Sequence, residues 1–140
     1  MNNTINIFHA LLDAIVALNI LNRDSINETQ YPINIYLKEF CTIKCNIGRQ
    51  TGKTSYIKLR ADENSLVIVC NYQLDSYFDN IDIVTSDQIK NGIFHDIKRL
   101  YTKVFIDEPS YVFKDISVDV LYKELAAVSS SDTTIIQLGA

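Results

Sequence analysis

The sequence predicts an α/β fold, a mainly parallel five-stranded sheet with helices on both faces. Three observations predict it. Short, strand-like runs recur near 42–47, 66–70, 82–85, 103–107 and 133–138. Helical patterns fill most of the gaps, and strand–helix–strand repetition gives parallel strands covered on both sides. Two of the runs end in groups that carry chemistry: a glycine- and lysine-bearing loop after the first, and an acid pair at the end of the fourth. The carboxyl ends of the strands are where α/β folds hold ligands.

In order, residues 4–21 read as a helix. Thr4 is its expected cap, and Ile5, Phe8, Leu11, Leu12, Ile15 and Leu18 form a wide apolar face. Packing on the domain is the expected role, with docking to a partner as the alternative. Residues 22–34 are polar and turn-rich, so an N-terminal helix and linker over 1–29 precedes a core over 30–140. The first strand is placed at 42–47, the loop at 48–52 and a short helix at 53–60. Leu66–Cys70 is wholly apolar and rich in β-branched residues, as a buried strand requires. A short helix is expected around 74–79 and a small strand at 82–85. A helix over 88–100 places Ile89, Ile93, Ile97 and Leu100 on one face; Ser86 or Asp87 caps it and Gly92 weakens its middle. Residues 110–116 read as a loop whose Tyr111 and Phe113 pack under the sheet edge. A helix over 118–128, a turn over "SSSDT" and a strand over 133–138 complete the chain.

The loop reads Ile47-Gly48-Arg49-Gln50-Thr51-Gly52-Lys53-Thr54-Ser55. A strand, a glycine loop, a lysine, a hydroxyl residue and a helix start are the physical recipe for holding phosphates. Backbone N–H groups of loop and helix start face the anion, and the lysine reaches the outer phosphates. The threonine hydroxyl can join a magnesium shell. The strict spacing G-x-x-x-x-G-K is not met: three residues separate Gly48 from Gly52, and Ile47 stands where the first glycine would be. Read blandly, the segment is a glycine-bearing turn with a solvated lysine.

Downstream, Lys103-Val104-Phe105-Ile106-Asp107-Glu108 is an apolar run ending in two acids. Asp107 at the end of such a strand can hold magnesium, directly or through water. Glu108 can orient or deprotonate an attacking water. The bland alternative is a strand ended by an acidic turn at Pro109.

"GRQTGKT" resembles the deviant phosphate loop of phage DNA-packaging ATPases, the large terminase subunits, and is similar to that of helicase-like motors. "IDEP" resembles the second nucleotide motif of the same group. The resemblance spans roughly residues 30–140 and implies a P-loop NTPase fold, ATP and Mg2+ as cofactors, and ATP hydrolysis. It implies Lys53 as the phosphate lysine, Arg49 as an aid to phosphoryl transfer and Glu108 as the catalytic carboxylate. Gly48, Gln50, Thr51, Gly52, Thr54 and Ser55 complete the cradle, and Thr54 and Asp107 serve the metal. It further implies Gln30 as an adenine contact, with Tyr31 as a stacking alternative, and Gln137 as a sensing residue on the last strand. The partners it implies are double-stranded DNA, reached through other domains or subunits, and a homo-oligomer or protein partner.

Composition narrows the alternatives. The 140 residues allow one sizeable core, and 47% hydrophobic content excludes a disordered class. A net charge of −4 with no basic run gives no nonspecific nucleic-acid footprint. Cys41, Cys45 and Cys70 are odd in number, lie in or beside apolar runs and form no C-x-x-C, so buried thiols in a reducing, cytoplasmic setting are expected. His9 and His95 have no metal-like company. The apolar N-terminal stretch is interrupted by His9, Asp13 and Asn19, so neither a membrane span nor a signal peptide is expected. Abundant asparagine and isoleucine suit an AT-rich, viral genome and thus a host cytoplasm. The end at Ala140 reads as a fragment or as a small protein that borrows parts from a partner.

Two other functions fit the motifs. Thymidine kinases are similar in carrying an acid pair at the end of a buried strand, although their phosphate loop keeps the four-residue gap missing here. A noncatalytic nucleotide-binding or regulatory phage protein is the other alternative.

Overall fold

The structure, a computed structural model, describes residues 3–46, 52–70 and 80–140. Five strands form one sheet: β1 (Thr42–Cys45), β2 (Ser65–Val69), β3 (Asp82–Thr85), β4 (Tyr101–Asp107) and β5 (Ser129–Leu138). Their order is β1-β5-β4-β2-β3 and every pairing is parallel. The α/β architecture expected from the strand–helix repetition is therefore present.

Side chains alternate across the pleat. Leu66, Ile68, Val104, Ile106 and Ile135 face one layer of helices, α2 (Ile33–Phe40), α4 (Ser86–Lys90), α5 (Pro109–Asp115) and α6 (Val118–Leu125). Ile43, Cys45, Val67, Val69, Phe105, Ile136 and Leu138 face the other, made by α1 (Asn3–Arg23) and α3 (Lys53–Arg60). The double burial explains why β2 and the centre of β4 read as unbroken apolar runs.

Helix α1 is long and apolar enough, by length and composition alone, to cross a membrane. In the structure its Phe8 and Leu12 are buried in the sheet-facing core, while Ile7, Leu11, Leu18 and Leu21 are exposed. Its face is thus rotated from the expected one: Leu11 and Leu18 lie outside it.

Several local expectations are corrected. Helix α1 starts at Asn3, so Thr4 lies within it. Residues 33–40, which begin in the expected linker and precede the expected strand, form α2, which starts after Pro32 and buries Tyr36 and Leu37 at helical spacing. The helix expected over 88–100 is α4 alone, followed by a short 3₁₀ turn at Ile93–His95; Gly92, at φ +83°, ends the α-helical path. Its N-cap is Thr85, paired with Gln88 in a capping box, in place of Ser86 or Asp87. Residues 109–115 are helix, with Pro109 in the first turn, where its missing N–H costs nothing. Tyr111 is exposed, whereas Phe113 packs on the core. The "SSSDT" segment belongs to β5, with an irregular register against β4. Cys41 and Cys45 are buried thiols as expected, but Cys70 is exposed. The expected helix around 74–79 lies outside the described residues.

Candidate functional site

The carboxyl ends of three neighbouring strands are flush. Cys45 of β1 pairs with Leu138 of β5, and Leu138 pairs with Asp107 of β4. Beyond the ladder the stitching continues. Gly139 N–H donates to the Cys45 carbonyl (2.9 Å), Glu108 N–H to Leu138 (2.9 Å) and Ser110 N–H to Ala140 (2.6 Å). This edge is a rigid platform, and the first turn of α3 and the β4–α5 junction both stand on it.

Gly52 starts α3 from a left-handed conformation, φ +88° and ψ +28°. A Cβ there would lie 2.8 Å from Ile5 Cγ2. Both observations require glycine at this position. Lys53, Thr54 and Ser55 form the first turn, and each is partly buried. Only 13% of the Lys53 side chain is exposed, and its Nζ lies 3.5 Å from Glu108 Oε1. Burial pushes the nearby Cys45 thiol up, against the opposing effect of the Lys53 charge.

Glu108 sits at φ +50° and ψ +70°, a left-handed conformation that costs a residue with a Cβ about 1–2 kcal/mol. Strain at such a point is held by the surroundings, here the hydrogen bond to Leu138 and Pro109 behind it. Gly139 makes room for the carboxylate: a Cβ there would fall 2.6 Å from Glu108 Oε2. Asp107 lies beside it at the strand end. Burial, and then the Glu108 charge, push the Asp107 carboxyl up from 3.8 to about 6, with Lys53 opposing. An ionised Asp107 is therefore poorly compensated by the protein, and a bound cation would relieve it.

The donors suit an ion that keeps water and phosphate ligands. Among the described residues, no group of three or more His, Cys, Asp or Glu could hold a metal alone. Magnesium at nucleotide sites commonly takes one or two carboxylates plus phosphate oxygens. Asp107, with the Thr54 hydroxyl in the first turn of α3, fits that chemistry.

Of the residues singled out in the sequence, Lys53, Asp107 and Glu108 come together, and Gly52, Thr54 and Ser55 share the first turn of α3 or its cap. Gly48, Arg49, Gln50 and Thr51 lie outside the described residues. Gln30 is corrected. It closes a 3₁₀ turn whose Glu28 shares a cavity with Arg23, Ser131 and Asp132 at the start of β5. Tyr31 lies against Phe40, just before β1 begins. Both therefore stand at the amino edge, a strand length from Lys53. The Gln137 amide donates to the Tyr122 hydroxyl (3.1 Å), inside the layer of α2 and α6. Residues the sequence reading passed over include Gly139, which makes room for Glu108, and His9, whose Nε2 lies 3.1 Å from the Gly52 carbonyl. A glycine directly after a core strand was the only local signal for the first; nothing local marks the second.

Comparison of the chain with family models, with curated proteins and with solved structures finds no match.

Proposed function

We propose that this chain binds a nucleoside triphosphate, ATP by resemblance, with Mg2+ at the carboxyl edge of the sheet and hydrolyses its terminal phosphoanhydride. One observation carries the reading. An ammonium at the start of a glycine-capped helix and two adjacent carboxyls converge across the flush ends of β1, β5 and β4, with Lys53 and Glu108 3.5 Å apart.

In this reading the outer phosphates take over the Lys53 ammonium, and Glu108 is released from its ion pair. The N–H groups at the start of α3 face the same anion. Asp107 and Thr54 hold the metal, which, when bound, neutralises phosphate charge. Glu108 accepts the proton of the water that attacks the γ-phosphorus; the bond to the β–γ bridging oxygen breaks and that oxygen leaves on the diphosphate. The left-handed Glu108 backbone places its carboxylate over Gly139 and beside Lys53.

The test is phosphate release from ATP and Mg2+, together with nucleotide binding. Lys53→Ala is expected to lose both. Glu108→Gln is expected to lose turnover by about 10²–10⁴-fold, the usual worth of a general base, while it still binds ATP. Unchanged hydrolysis in both variants rejects the reading. Transfer of phosphate to a nucleoside would favour a kinase, and binding without turnover in the unaltered protein a noncatalytic role.

A further inference from the structure

Helix α1 lies over the start of α3, and two of its side chains of different chemistry meet Gly52 there. Ile5 and His9 are four residues apart, hence on one face of α1. Ile5 occupies the space that any side chain at residue 52 would need. His9, only 6% exposed, aims Nε2 at the Gly52 carbonyl at 3.1 Å. A carbonyl can only accept, so Nε2 carries the proton. The ring is held by its neighbours, edge-on to Tyr56 at 5.3 Å between centroids and tilted against Phe8 at 6.0 Å.

The bond matters because of which peptide it grips. The described chain has no cis peptide. In a trans unit the carbonyl of one residue and the N–H of the next point in opposite directions within one plane. The Gly52 carbonyl is taken on one side by Tyr56 N–H at 2.8 Å and by His9. The N–H of Lys53 in the same plane is thereby turned the other way, out from the start of α3. Glycine allows this plane to rotate more freely than any other residue would. The Tyr56 bond limits that freedom from within the helix, and His9 limits it further from outside.

We infer that His9 is a positioning residue: through the Gly52 carbonyl it fixes the direction of the Lys53 amide that faces the phosphates. The inference rests on the nucleotide reading of this edge. It assigns to the first turns of α1 a part in the anion site.

The test compares His9→Leu, which keeps bulk but has no donor, with His9→Gln, whose amide nitrogen is as many bonds from Cα as Nε2. The probes are ADP with Mg2+ and inorganic pyrophosphate. Affinity and the nitrogen and proton shifts of the Lys53 amide are followed in the full chain. His9→Leu is expected to weaken both ligands about tenfold, the worth of one hydrogen bond, and to displace the Lys53 amide signal before any ligand is added. His9→Gln is expected to restore both. Wild-type affinity in His9→Leu overturns the inference, as does equal weakening in the two variants, which would mean that the ring only packs. If the unaltered protein binds neither probe, the nucleotide reading itself falls and takes this inference with it; the wild-type control separates that result from the other two.

Discussion

The two edges of the sheet are built differently, and α1 reaches both. At the amino edge Arg23, at the end of α1, is buried and donates to the carbonyls of Thr133 (2.8 Å) and Ser131 (3.4 Å) and to the Thr134 hydroxyl (2.8 Å). The Thr133 hydroxyl in turn donates to the Tyr101 carbonyl at 2.6 Å. A charge taken out of water is there surrounded by acceptors. At the carboxyl edge the balance is the reverse: a carboxyl pushed towards neutrality, a left-handed glutamate and a long ion pair. The first arrangement holds the irregular start of β5 in place. The second leaves interactions that a ligand could improve, as functional sites do.

The largest expected effect is at the satisfied edge. Arg23→Leu removes the donors but leaves the acceptors on β5 in place. Unpaired buried acceptors cost about 1–3 kcal/mol each, so a loss of about 3 kcal/mol is expected in urea unfolding. Nucleotide affinity in the protein that remains folded should not change. A loss below about 1 kcal/mol would mean that water replaces the guanidinium, and the contrast between the edges would then be weaker than the hydrogen bonds suggest.

Next comes Asp107. Its rise from 3.8 to about 6 means that the native state binds the proton more tightly than the unfolded chain does. The stability this gives is full below pH 3.8 and is lost as pH rises through about 6. At 1.36 kcal/mol for each pKa unit, Asp107→Asn in metal-free buffer is expected to be more stable than the unaltered protein by about 3 kcal/mol at pH 7.5. The two should converge by about pH 3, below the unfolded value of 3.8. Urea melts at the two pH values check this. A variant less stable at pH 7.5 would show that Asp107 is already compensated, and the carboxyl edge would then resemble the amino edge.

The same contrast governs how far the sequence could be read. Strands β2 and β4 were legible because burial on both faces leaves only one kind of residue in their centres. Lys53, Asp107 and Glu108 were legible because each stands next to such a strand or to a glycine loop, where local pattern and chemistry coincide. Helix α2 was missed although Pro32 and the spacing of Ile33, Tyr36, Leu37 and Phe40 announced it; the apolar residues also suited a strand. Helix α5 was hidden because Pro109 was read as a stop to β4 rather than as the first residue of a helix. Gln30 and Gln137 were harder to place for another reason. A distance along the chain says nothing of which sheet edge a loop returns to, or of which face a strand residue takes. Arg23, His9 and Gly139 act through partners far away in sequence, and no local window contains both members of those pairs.

The smallest effect is expected midway between the edges, where α1 and α3 run side by side. Asp13 accepts from Arg60 Nε (3.0 Å) and Nη2 (2.8 Å) and from the Tyr56 hydroxyl (2.8 Å). Bonding to Arg60 holds its carboxyl below the usual range, with burial opposing and Tyr56 assisting. A lowered carboxyl contributes stability that is present above its unfolded value of 3.8 and is lost as pH falls through the lowered one. The pair is well exposed, 44% for Asp13 and 37% for Arg60, so solvent screens most of it. Asp13→Asn is therefore expected to cost less than about 1 kcal/mol at pH 7. The gap should close as pH falls below that lowered value, where the carboxyl of the unaltered protein takes up its proton. A gap that persists there would assign the loss to the geometry of the α1–α3 contact and not to charge. It would then be expected to extend up α1 to the His9–Gly52 bond, so that Asp13→Asn would also move the Lys53 amide. If the two ends of α1 act independently, that signal stays in place while urea stability falls.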